Sequence, residues 1–298
     1  MEITGNFNKN KYIGLFFISP WIIGFILFGL YPLLSSLYYS LTDYAILGKA
    51  NFIGFKNYIY IFTKDRDFYH SLGVTFKYVL IAVPMKLLAA LFFALLLNQG
   101  IRFMGTFRTI FYLPSILGGN ISISILWKFL FMRSGFLNNL LSKIGITTIP
   151  WLEDPKFALF TISMVNVWAF GSSMVIFLAG LKQIPGELYE AARIDGASPV
   201  SIFFRVTLPL LTPQLFFNLI MQVIVMFQTF TSAFVITNGG PIKSTYLFSL
   251  KIYKEGFSFF NMGYAAALSW VLFIIILCAT ALLFKSSKSW LHYETSVK

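Results

Sequence analysis

Six stretches of mostly apolar residues, at about 12–39, 74–97, 109–131, 157–181, 207–236 and 262–284, limit what this chain can fold into. Each reaches the roughly 20 residues that a helix needs to cross a hydrocarbon core. Only 11% of the 298 residues are charged, less than half the share usual in a soluble domain. A chain of this composition has more apolar surface than a water-facing core can hide, so the membrane is its solvent and an all-α integral membrane fold is expected. The first run, Tyr12 to Tyr39, is too long for a signal-peptide core and has no small-residue cleavage site, so it reads as a retained span. Pro20 and Pro32 in the first span, and Pro209 and Pro213 opening the fifth, mark expected kinks, and Pro84 is expected to interrupt the second.

The net charge of +12 comes from scattered basic residues. That pattern suits anionic lipid head groups and lacks the basic patch of a nucleic-acid interface, so no nucleic-acid partner is expected. Cys278 is the one cysteine, and His70 and His292 are the two histidines. No intrachain disulfide, metal cluster or catalytic constellation can be assembled from them. No Asp or Glu falls inside a span and no repeat is visible, which argues against a stand-alone ion-coupled transporter. No GxxxxGK[ST] loop exists, so any ATP-driven step needs another chain. With both termini cytoplasmic, Lys and Arg divide ten inside to twelve outside, which decides nothing; Lys9, Lys11 and the short basic loop 98–108 lean towards that orientation.

Between the fourth and fifth spans lies a polar segment, and Glu190 to Pro209 reads EAARIDGASPVSIFFRVTLP. Glu187 and Glu190 are expected in the first turn of a short helix, where carboxylates suit the positive end of the dipole. Gly196 is placed to end that helix, and Ser198-Pro199 to start another as N-cap and first helical residue. Leu188, Ala191 and Ala192 give the first helix a small apolar face. Two readings fit: an interfacial amphipathic anchor, or a docking element whose alanines let a partner backbone approach.

The frame Glu190-Ala191-Ala192, Gly196, Val206 and Leu208-Pro209 resembles the signature of ABC-importer permease subunits, with Val206 where that motif usually has Ile. NFIGFKNY after the first span, FRTIFYLPSILGG, WLEDP and ITNGGP are similar to the carbohydrate branch, of the maltose and glycerol-phosphate permease type, so the resemblance covers nearly the whole chain. It implies six transmembrane helices with a cytoplasmic two-helix coupling segment, in a bacterial cell membrane, with both termini cytoplasmic. It divides the chain into an N-terminal helix and external segment (1–73), a permease core (74–285) with coupling loop 182–206, and a tail (286–298). It further implies a transport subunit rather than an enzyme, importing sugars, oligosaccharides foremost. Its partners would be a second homologous permease, an ATPase dimer that carries the ATP and Mg, and an extracellular solute-binding protein. Glu190, Ala191, Ala192, Asp195, Gly196, Leu208 and Pro209 would form the ATPase coupling site. A permease for another small solute would carry a similar frame.

Candidates for the substrate path are the polar and aromatic residues inside spans, since polar groups in lipid tend to face the bundle interior. They are Lys86 in the second span, Asn120 in the third, Asn166 and Trp168 in the fourth, and Asn218, Gln222, Gln228, Phe230 and Thr231 in the fifth. For the amides, interhelical hydrogen bonding is the competing role. Lys86, with no acid in any span to pair with, fits a cavity, a partner permease or an interface position. Gly118-Gly119 suits helix packing or a hinge, and Gly171-Ser172-Ser173 a close-packing patch.

Overall fold

The computed structural model describes residues 11–46, 48–100 and 103–291. Lys9, Arg102, His292 and the end of the tail lie outside them. Fifteen α-helices follow one another among the described residues, with no strand; Thr42 and Phe52 form one isolated β-bridge. They are α1 (Lys11–Phe25), α2 (Tyr31–Ser40), α3 (Lys56–Thr63), α4 (Arg66–Asn98), α5 (Met104–Leu117), α6 (Ile121–Phe131), α7 (Phe136–Lys143), α8 (Pro155–Trp168), α9 (Gly171–Gln183), α10 (Gly186–Ile194), α11 (Pro199–Ile202), α12 (Leu208–Leu210), α13 (Thr212–Phe227), α14 (Phe248–Tyr253) and α15 (Met262–Ser287). Among the described residues, three helical stretches are long and apolar enough to cross a membrane: Gly14–Ser40, Arg66–Asn98 and Met262–Ser287. Counting three bent pairs as one span each brings the number to six.

The helices fall into two compact units. The first takes in the described residues up to Lys64 together with Ile252–Val271; the second takes in Asp65–Lys251 and the described residues from Leu272 onward. In the first unit, Asn57 donates from Nδ2 to the carbonyls of Ser40 and Thr42, both at 2.9 Å, and so closes the chain after α2. Asp43 accepts from the Asn51 amide at 2.8 Å and from its side chain at 3.2 Å. These bonds explain the two asparagines of NFIGFKNY.

The prolines act differently from one another. Pro20 lies inside α1 and the helix runs on. Pro32 and Pro209 each follow a π turn, Ile26–Leu30 and Phe203–Thr207. Widening the turn gives room for a ring that would otherwise strike the carbonyl four residues back. Pro84, expected to interrupt the second span, does not: α4 runs 33 residues through it. One proline removes one backbone bond, and α4 is held on both sides by packing against α8, α9 and α13. Its start at Arg66 is set by Asp65, whose Oδ1 accepts from the Phe68 amide at 3.0 Å.

In the second unit the bends occur between α5 and α6 (100°), α8 and α9 (52°), and α12 and α13 (66°). Gly119 makes the first possible, with φ +84°, and a Cβ on Gly118 would lie 2.9 Å from that of Ala169. The paired glycines thus serve both as bend and as contact. The break between α8 and α9 has no proline. Its freed backbone groups are taken by Ser115 of α5, whose hydroxyl donates to the Ala169 carbonyl at 3.1 Å and accepts from the Ser172 amide at 2.9 Å. Gly171 lets α5 come this close, because a Cβ there would lie 2.7 Å from the Tyr112 Cα.

Candidate functional site

Two places in the second unit carry chemistry: the polar segment after α9, and a cavity where broken helices meet.

Helix α10 begins at Gly186, so Glu187 lies in its first turn and Glu190, expected there, falls one turn later. At its end the Gly196 amide donates to the Arg193 carbonyl at 3.0 Å and the Ala197 amide to the Ala192 carbonyl at 2.9 Å. This is the paired 5→2 and 6→1 closure that needs a left-handed residue at the turn, and Gly196 supplies φ +74°. Ser198 then caps α11, accepting from the Ser201 amide at 3.3 Å. The second helix is longer than expected, because α11, the π turn and α12 run on as one helical stretch to Leu210.

No residue of α10 is buried. Glu190, Ala191, Asp195 and Gly196 are exposed and Ala192 is half-buried, while Leu208 and Pro209, on the far side of the π turn, are half-buried. Two apolar residues not singled out from the sequence stand out beside the motif: Ile194 is 86% and Val200 66% exposed. Tyr189 is also new. Its hydroxyl meets that of Thr207 at 3.3 Å, which ties α10 to the base of α12.

The cavity holds about 300 Å³ and is lined by Gly119, Ser124, Val165, Asn166, Val225 and the run Gln228–Ser232. Gly119 comes from the α5–α6 bend, Asn166 from the last turn of α8, and Gln228–Ser232 from the break that ends α13. Asn166 is fixed by donating to the Tyr78 hydroxyl at 2.6 Å and to Ser232 at 3.4 Å, and Tyr78 in turn donates to the Met226 sulfur at 3.6 Å. The lining therefore offers hydroxyl and amide groups and the ring of Phe230, with no charged side chain. The sequence points to Asn166, Gln228, Phe230 and Thr231 in this lining, but not to Thr229, nor to Tyr78 buried behind Asn166.

The other candidates lie elsewhere. Asn218 and Gln222 are buried, donating to the Ser173 carbonyl at 3.4 Å and hydroxyl at 3.1 Å, so they join α13 to α9. Their own carbonyl oxygens, with that of Gln214 one turn earlier, have no partner among the described residues. Trp168 packs edge-on against Trp127 at 6.0 Å. Asn120 is exposed at the start of α6, where its carbonyl accepts from Ser124 at 3.3 Å. Lys86 is 6% exposed, and no carboxylate lies within ion-pair distance of it among the described residues.

Residues 71–289 match the family described as the binding-protein-dependent transport system inner membrane component. The chain belongs to this family. Over its length it is 46% identical to "Probable ABC transporter permease protein YesP" of Bacillus subtilis (strain 168), covering 99% of this chain and 96% of that protein. It is 33% identical to the trehalose/maltose transport system permease protein MalF of Thermococcus litoralis, covering 93% and 96%. A solved structure, the bacterial alginate ABC transporter in complex with alginate pentasaccharide-bound periplasmic protein, has a chain of the same fold, with TM-score 0.81, 21% identity and coverage of 94% and 96%. As a family member the chain is a multi-pass inner membrane transport component, not itself an enzyme.

Proposed function

We propose that this permease forms one half of the translocation path of an ATP-driven sugar importer. A second, similar permease completes the path, a separate ATPase dimer binds the ATP and Mg, and an extracellular binding protein delivers the substrate. Both termini are then cytoplasmic, residues 74–285 form the permease core, and the segment 182–206 faces the ATPase. Glu190, Ala191, Ala192, Asp195 and Gly196 are the docking surface, and Leu208 and Pro209 join it to the fifth span. Asn166, Gln228, Phe230 and Thr231 contact the sugar directly. Asn218, Gln222, Lys86, Asn120 and Trp168 belong to the walls that carry those residues.

The observation that carries this reading is the 300 Å³ cavity at the helix breaks, lined by neutral hydrogen-bonding groups beside an aromatic ring. Such a lining suits a many-hydroxyl solute better than an ion or an apolar one. The sugar named for the Thermococcus relative points the same way. Two variants of the reconstituted importer test the two sites separately. Ala191→Trp, on an exposed position, is expected to fold but to lose ATPase association and uptake together. Phe230→Ala is expected to keep ATPase association while raising the KM for sugar uptake. Normal ATPase binding and uptake by Ala191→Trp would refute the docking role.

A further inference from the structure

A second cavity, of about 460 Å³, continues along the same two elements. Ser124 of α6 lines the first cavity and Lys128, one turn on, lines the second; Ser232 and Ile236 repeat that spacing on the segment after α13. The chemistry changes between them. The first has no charged lining residue, whereas Lys128, Arg133 and Glu153 surround Trp151 in the second.

Trp151 is a fixed plate. Its Nε1 donates to Asn138 Oδ1 at 3.2 Å, and its ring meets Phe131 edge-on at 5.7 Å. Asn138 is 1% exposed and also bonds the backbone of Met132, Arg133 and Ile149, so the platform is anchored on three sides. The two cations are largely unspent. Arg133 lies 3.8 Å from Glu153 with both side chains mostly exposed. That is about 1 Å beyond a charge-assisted hydrogen bond. Elsewhere in the unit such pairs close fully: Lys251 with Asp65 at 2.8 Å and Lys243 with Asp67 at 2.7 Å. Lys128 has no carboxylate within ion-pair distance among the described residues.

We infer that this cavity is a subsite for a carboxylate-bearing sugar, so that the imported carbohydrate is an acidic oligosaccharide. Trp151 covers the apolar face of one sugar ring, the planar fork of Arg133 takes the carboxylate, and Lys128 adds a point charge beside it. The neutral cavity next to it accommodates the hydroxyls of the adjoining sugar. This inference rests on the importer reading above.

The test uses the complete transporter, with second permease, ATPase and binding protein, in proteoliposomes. Uptake of uronic-acid disaccharides to tetrasaccharides is compared with the same chains reduced at the carboxyl to neutral sugars, with basal ATP hydrolysis as the folding control. Lys128→Gln with Arg133→Gln is expected to raise KM for the uronates by about tenfold or more, with kcat and neutral-sugar uptake little changed. Arg133→Lys, which keeps charge but not the fork, is expected to lose less. A wild type that carries only the neutral chains, or a double variant that slows both series alike, overturns the subsite and leaves the importer reading standing. Uptake of neither series by the wild type also overturns the subsite, and the importer reading falls only if no carbohydrate stimulates ATP hydrolysis by the complete transporter.

Discussion

Replacing Ser115 by Ala tests how the break between α8 and α9 is held. The hydroxyl satisfies two backbone groups at once, at 3.1 and 2.9 Å, and both lose their partner when it goes. A buried group left unpaired costs about 1–3 kcal/mol in general. Side-chain hydrogen bonds measured within membranes average nearer 0.6 and reach about 1.7 kcal/mol. Two bonds of the membrane kind give about 1–3 kcal/mol, and because Ser115 is only part-buried the lower half of that range applies. The folded-to-unfolded ratio should fall roughly tenfold. Reversible unfolding in mixed micelles, titrated with a denaturing detergent, measures this. Ser122→Ala, at an exposed position on α6, serves as control and is expected to stay within about 0.5 kcal/mol of wild type. Because the break sets where the last turn of α8 places Asn166, KM for uptake should rise as well. Equal stability of Ser115→Ala and the control would show that the break stands without the hydroxyl, and the reasoning would fail.

The same titration applies to Lys251, whose ion pair with Asp65 has side-chain exposures of only 2% and 8%. Lys251→Met is expected to cost about 3–5 kcal/mol, and adding Asp65→Asn, which keeps the cap on α4, to recover part of it; strict additivity would mean the pair is not coupled. Asp43 gives a pH signature outside the spans. Hydrogen bonds from the Asn51 backbone and side chain hold its carboxyl below the usual carboxylate value. The folded value is the lower one, so the tie to Asn51 is fully present above the unfolded pKa and is lost as pH falls through the folded pKa. A site-resolved titration of Asp43 should have its midpoint below that of an unperturbed aspartate, and Asn51→Ala should move it up.

The parts of the structure set by local chemistry could be read from the sequence. Gly196 and Ser198-Pro199 specify their turn and cap within a few residues, and the apolar runs declare themselves by length. The breaks were harder to find. The glycines 118–119 suggest one, but the break after Trp168 has no proline, Gly171 there reads equally as a packing residue, and the break depends on Ser115, more than fifty positions away. The amides of α13 show the same limit. Asn218 and Gln228 are equally polar and both occur in an apolar run, yet one faces Ser173 and the other a cavity. Which of these happens depends on where α13 ends, and that is settled by packing. Lys128, Arg133 and Trp151 come together from stretches that looked like loop ends and span ends, so no local pattern marked them. Pro84 misled because its effect on a helix depends on how firmly the neighbours hold the rest.

The 3.3 Å contact between Tyr189 and Thr207 has a mechanical consequence. It couples α10 to the stretch that leads through the bend at Leu211 into α13, and the far end of α13 carries Gln228. Sixteen residues make this helix a rod about 24 Å long. A turn of only about 5° at its foot would sweep the tip through roughly 2 Å over that length. A displacement of that size is comparable to the radius of a hydroxyl group, so a slight tilt of the exposed helix would shift the Gln228 end of the cavity by enough to make or break a hydrogen bond there.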